Sequence, residues 1–153
     1  VFSFFGDVFL LFDDKGFQIG IIAFLFAHIS YSFAFMRQVN NYNYYLLIPI
    51  FGFTVGFYLY IVKDLGKFRR QVSIYISVIT LMFWLAVNRY FFENTFQNTL
   101  ILAGAVMFVI SDSLLAVNKF SKTILPDKTK FPFPEMLILA AYYLAQYLFV
   151  ISV

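Results

Sequence analysis

"GAVMFVISDSLLAV", residues 104–117, decides the reading of this chain, because it is an apolar run interrupted by a single charge, Asp112, placed directly after the small Ser111. A second stretch, "FFGDVFLLF" at residues 4–12, repeats the arrangement with Asp7 after Gly6. The run around Asp112 extends over 97–118, close to the roughly 20 residues a helix needs to cross the hydrocarbon core of a bilayer. Both aspartates therefore sit where a carboxylate is costly to bury and usually marks function.

Composition agrees with a membrane solvent. Hydrophobic residues make up 62% of the 153, charged residues 12%, and the mean hydropathy is +0.82, which leaves too little polar surface for a protein dissolved in water. The absence of cysteine excludes disulfides and thiol nucleophiles. A net charge of +3 would suit an anionic partner, but the basic residues fall between apolar runs, so topology explains them better than nucleic-acid binding does.

Working outward from 97–118, further runs occupy 17–36, 44–62, 71–91 and 134–153. The expected fold is thus an all-α, polytopic transmembrane bundle with five full spans, forming a single integral membrane domain over 1–153. Residues 1–12 are too short to cross and no initiating Met precedes them, so they read as the end of a truncated helix. The only sizeable loop, 119–133, leads through "LPDKTKFPFP". Lys15, Lys63, Lys67, Arg69, Arg70, Lys119, Lys122, Lys128 and Lys130 lie in one set of alternating loops and only Arg37 and Arg89 in the other; nine against two puts the first set in the cytoplasm.

Helical rise then places Asp7 about 8 Å and Asp112 about 10 Å from the cytoplasmic ends of their helices, and His28 and Gln146 at roughly 18 Å. Gly20, Phe24, His28, Tyr31 and Phe35 share one stripe, and Tyr142 or Tyr143 with Gln146 another. The expectation is a polar cavity in the bundle that opens toward the basic side. Helix packing is the competing reading for each residue: hydrogen-bonded glue for the aspartates, Gln146 and the tyrosines, and a satisfied packing histidine for His28. Gly52, Gly56, Gly104 and Ala105 read as close-packing positions.

The segments "GDVFLLF", "GFQIGIIAFLFAHISYSFAF", "GAVMFVISDSLLAVNKF" and "YYLAQYL", in this order, resemble the YhhN-like lysoplasmalogenase family of multi-span membrane proteins. The middle helices, 44–91, match only in hydrophobic pattern. The resemblance implies an eight-helix bundle, a bacterial plasma-membrane location, and hydrolysis of the vinyl ether bond of lysoplasmalogens to a fatty aldehyde and glycerophospho-ethanolamine or glycerophospho-choline. It carries over to Asp7, His28, Ser111, Asp112, Tyr142 and Gln146.

That chemistry suits the residues. A vinyl ether is cleaved by protonation of its β-carbon, attack of water on the resulting oxocarbenium ion and collapse of the hemiacetal. Two carboxyl groups can divide this labour, one as acid and one stabilising the cation and orienting water, as they do for glycosides. Asp7, Asp112 and His28 are the expected catalytic residues; Tyr31, Ser111, Tyr142, Tyr143 and Gln146 are expected to bind substrate. No cofactor or metal is called for, since one His and no Cys supply few zinc ligands. A triad built on Ser111 lacks a nucleophile elbow. The expected partners are a lysophospholipid, its phosphate near Lys63 and Lys119, and the surrounding membrane lipids. A non-catalytic lipid-binding protein or a proton-coupled transporter uses intramembrane Asp and His equally well.

Overall fold

A computed structural model describes Ser3, Gly6, residues 14–37, Val39, residues 41–120 and residues 133–152. Every regular element among them is helical: α1 (Asp14–Met36), α2 (Leu47–Ile61), α3 (Arg69–Phe92), α4 (Phe96–Phe120) and α5 (Phe133–Ile151). In a bilayer a backbone must satisfy its own hydrogen bonds, so these aromatic and β-branched runs form helices despite their modest intrinsic propensity. Their hydroxyls are absorbed in the same way. Ser30, Ser32, Ser73, Ser77 and Thr80 each donate to the carbonyl four residues earlier, which hides a polar group against its own helix.

Four of the helical segments are long and apolar enough to cross a membrane, Gly16–Met36, Tyr44–Ile61, Gly66–Phe92 and Phe96–Phe120. All five expected runs emerge as helices; α5 has 19 residues, and its apolar stretch Glu135–Ile151 falls just short of spanning length among the described residues. α2 reaches it because the 3₁₀ turn Tyr44–Leu46 precedes its 15 residues; three residues at 2.0 Å and fifteen at 1.5 Å give about 29 Å. Pro49 sits in the first turn of α2, where its missing N–H breaks no helical bond.

Helix directions follow from side-chain contacts. Phe17 near the start of α1 meets Phe68 at the start of α3 and Phe120 at the end of α4. Phe35 near the end of α1 meets Phe149 near the end of α5. α1, α3 and α5 therefore run one way and α4 the other. α5 packs along α4, α3 packs against both α1 and α4, and α2 rests chiefly on α3. At the α1–α2 end, Asn88 Oδ1 accepts from the Asn43 amide, Trp84 Nε1 donates to the Asn43 carbonyl and Tyr42 stacks on Trp84. The α3–α4 turn is tied by Arg89, whose Nε donates to Asn98 Oδ1, while Asn98 Nδ2 donates to the Glu93 carbonyl.

Small residues divide sharply. A Cβ on Gly104 would meet the Phe149 ring at 2.7 Å and the Ala145 carbonyl oxygen at 3.2 Å, and Ala105 is fully buried. These two let α4 and α5 approach closely, as expected. Gly52 and Gly56 have nothing within 4 Å of such a Cβ, so they do not mediate packing between the described helices. Of the α2 residues only Ile61 is buried, and Ile48, Phe51 and Leu59 point outward as lipid-facing side chains do.

Candidate functional site

Asp112 lies eight residues from the end of α4, and His28 lies fourteen residues into α1. By helical rise alone their Cα atoms differ by some 9 Å in level. Their side chains nevertheless meet, with His28 Nε2 3.5 Å from Asp112 Oδ2. The reason is directional: side chains lean toward the N-terminus of their own helix, and because α1 and α4 are antiparallel the two lean toward each other.

A third group completes the cluster. The Tyr75 hydroxyl on α3 donates to the same Oδ2 at 2.7 Å, and its ring stands edge-on to His28 at 5.3 Å. Tyr75 belongs to the core-facing stripe Val72, Tyr75, Ile79 and Met82 of α3, which fixes its direction.

Proton accounting constrains this cluster. His28 Nδ1 lies 2.7 Å from the Phe24 carbonyl, which can only accept, so Nδ1 carries a hydrogen. In a neutral ring Nε2 then holds a lone pair, and Nε2 is buried without a hydrogen-bond partner while facing a carboxyl oxygen. A lone pair opposite an ionised carboxylate is repulsive. The pair is stable when one proton lies on it, either on the carboxyl or as an imidazolium. The cluster is therefore a place where Asp112 and His28 share one proton.

Asp112 is the member that touches open space. Its side chain is 14% exposed against 1% for His28, and it lines a groove of about 450 Å³ enclosed by α1, α2, α3 and α4. That volume falls within the roughly 300–1,000 Å³ of small-molecule sites. Apart from Asp112, Tyr75, Ser113, Thr54 and Thr80, the lining is apolar. The cavity is thus a hydrocarbon-like groove with a carboxyl in its wall rather than the polar chamber expected, because the other polar candidates turn elsewhere.

Phe108 explains where they go. Its fully buried ring packs on His28 at 4.6 Å on one side and contacts Tyr31, Tyr142 and Phe149 on the other. Tyr31 donates to Gln146 Oε1 at 2.8 Å, and Gln146 Nε2 donates to Ser3 Oγ. Tyr142 is buried edge-on to Phe24 and Phe108. Ser111 Oγ donates to the Ile138 carbonyl, tying α4 to α5, and Tyr143 is 58% exposed. Asp7 lies outside the described residues. Its neighbour Gly6 abuts the Phe24 ring, where a Cβ would come within 2.6 Å. Among the described residues no three His, Asp or Glu side chains converge as metal ligands would.

The residue missed by sequence reasoning is Tyr75. A tyrosine in "VSIYISV", within a run that matches only by hydrophobicity, looks like any lipid-facing or core aromatic. Its place on the same stripe as Val72 and Ile79 is the signal that it points inward.

The fold and this cluster define an integral membrane helix bundle that exposes a carboxyl to an apolar groove within the bilayer. The model of the YhhN family matches residues 1–153, and the chain belongs to that family. It is 30% identical over 158 residues to a Bos taurus protein named lysoplasmalogenase TMEM86A, and 31% identical over 168 residues to the Homo sapiens protein of the same name. Each alignment covers 99% of this chain, which spans 62% of the length of either relative. No solved structure matches the chain significantly.

Proposed function

We propose that the protein is a membrane hydrolase that cleaves the vinyl ether bond of lysoplasmalogens, releasing a fatty aldehyde and glycerophospho-ethanolamine or glycerophospho-choline. The name carried by both relatives supports the substrate class, and the observation that carries the reaction is a carboxyl oxygen shared by Tyr75 and His28 at the wall of an apolar groove. Protonation of the β-carbon is the hard step, and it calls for an acid beside a greasy substrate.

In this reading Asp112 gives its proton to that carbon. The oxocarbenium ion adds water at the adjacent carbon, the water loses a proton to a carboxylate, and the hemiacetal breaks its C–O bond to leave aldehyde and alcohol. No proton is consumed overall. Tyr75 holds the carboxyl's orientation and steadies the carboxylate that forms, while His28 stores the cluster's proton between turnovers. Asp7 is kept as the second carboxylate, the one that orients water. Tyr31, Gln146, Tyr142 and Ser111 hold α1, α4 and α5 around Phe108 and so fix the back of the site. The basic loops face the cytoplasm, as the positive-inside rule dictates, in a plasma membrane of bacterial type.

The test is aldehyde release from lysoplasmalogen by the purified protein in lipid nanodiscs, measured in H₂O and D₂O. Aldehyde formation with a solvent isotope effect is expected, because a proton is in flight in the transition state. Intact substrate carried across liposomes without aldehyde would replace the hydrolase with a transporter.

A further inference from the structure

The groove has two unlike ends, and Asp112 lies between them. At the cytoplasmic end the rings of Phe17, Phe68 and Phe120 meet edge-on or tilted at 5.6–5.8 Å, and the Lys119 ammonium sits 4.6 Å above the Phe17 ring. Phe17 and Phe120 line the groove, so this ammonium stands at its mouth. Beyond Asp112 the lining is Ile79, Thr80 and Phe83 of α3, Val106 of α4 and Phe53 of α2, with the Thr54 and Thr80 hydroxyls joined at 3.1 Å.

We propose that the groove is a binding site for one single-chain glycerophospholipid in a fixed polarity, with the phosphate at Lys119, the ether-linked carbons at Asp112 and the hydrocarbon chain running up to Phe83. This rests on the hydrolase reading and specifies how its substrate lies. Spacing supports it. Asp112 and Lys119 are seven residues apart, about 10 Å along α4, and the lysine leans back toward Asp112 because side chains tilt to the helix N-terminus. From phosphorus to the β-carbon of a 1-alkenyl glycerophospholipid is seven bonds, about 8 Å at the roughly 1.2 Å per bond of an extended chain. The opposite polarity would bury a phosphate among Ile79, Phe83 and Val106, where nothing charged lies in the lining.

The far end acts as a ruler. Tyr75 to Phe83 is eight residues, about 12 Å of groove, which takes roughly ten carbons of extended chain. Each methylene buried there is worth about fourfold in affinity, and carbons beyond the tenth gain little because they leave the groove.

The experiment uses the protein in nanodiscs with 1-alkenyl glycerophosphoethanolamines of six to eighteen chain carbons, and with the non-cleavable 1-alkyl analogues for binding. kcat/KM and affinity should climb with length and level off near ten carbons. Thr80→Phe should bring the plateau down to about six, since Thr80 lies five residues, about 7.5 Å, beyond Tyr75. Phe83→Ala, an independent variant should Thr80→Phe fail to fold, should move it to longer chains. Lys119→Gln should weaken the alkyl glycerophosphoethanolamine about tenfold and leave the uncharged 1-alkylglycerol unaffected. Identical length profiles in the parent and in a folded variant, or equal loss for charged and uncharged lipids, would overturn the assignment even if aldehyde is released. The expected binding profile without aldehyde would keep the groove and remove the hydrolase.

Discussion

At the scale of single residues, the bond between Tyr75 and Asp112 is the most informative contact in the molecule. Asp112→Asn keeps the shape, still accepts from Tyr75 and removes the proton donor; aldehyde release should fall by about 10²–10⁴, the usual contribution of general acid catalysis, while the protein stays folded in detergent. Near-parental turnover in that variant would end the acid assignment. Tyr75→Phe deletes one hydrogen bond to a group that becomes charged during turnover, worth about 1.5–3 kcal/mol, so kcat should drop roughly 10–100-fold with little change in KM. A change confined to KM would make Tyr75 merely a groove wall. Asp112 and His28 were legible in the sequence because a charged or ionisable side chain in an apolar run stands out against its neighbours. Tyr75 was not, since an aromatic in a membrane helix carries no comparable anomaly. The meeting of His28 with Asp112 was hidden as well: counting residues sets Cα levels, whereas contact depended on the antiparallel tilt of two side chains.

Among the helices, hydrophobic run length located all five, four of them of spanning length among the described residues and α5 slightly shorter in its apolar part. Run length says nothing about which face finds a partner. Glycine shows the difference most clearly, since Gly52, Gly56 and Gly104 look alike in sequence while only Gly104 lies under a neighbouring backbone. Gly104→Leu places carbon where the Phe149 ring and the Ala145 carbonyl already sit, and a backbone atom cannot swing aside as a ring can. The α4–α5 contact should loosen by about 1–3 kcal/mol, the usual cost of overpacking, read as a lowered unfolding temperature in detergent. Gly56→Ala meets open space and should leave that temperature unchanged or raise it, because alanine favours the helix by up to about 1 kcal/mol. Equal losses in both variants would mean that α2 is covered by another surface in the membrane.

For the molecule as a whole, loop charge favours the basic turns on the cytoplasmic side, and the placement of each basic residue bears on that reading. Arg89, one of the two basic residues counted against the cytoplasmic set, is buried and spent on Asn98 at the α3–α4 turn, so it acts as a brace more than as a topological signal. Lys63, Lys67, Arg69 and Arg70 are exposed around the α2–α3 turn, where the positive-inside effect has most purchase. Because the chain has no cysteine, single cysteines can report on each end without background. Tyr45, exposed at the start of the α2 span, and Lys67, exposed beyond its end, sit on opposite faces of the bilayer. In sealed cells an impermeant maleimide should label Tyr45→Cys and leave Lys67→Cys untouched until the membrane is opened. The reverse pattern would put the Lys119 end of the groove outside. The phosphate would then have to arrive from the outer leaflet, although the spacing between Lys119 and Asp112 would be unaltered. Leaflet of entry and the proposed polarity in the groove are thus separate properties: the first follows loop charge, the second the spacing of Lys119 and Asp112 on α4 together with the apolar far end of the groove.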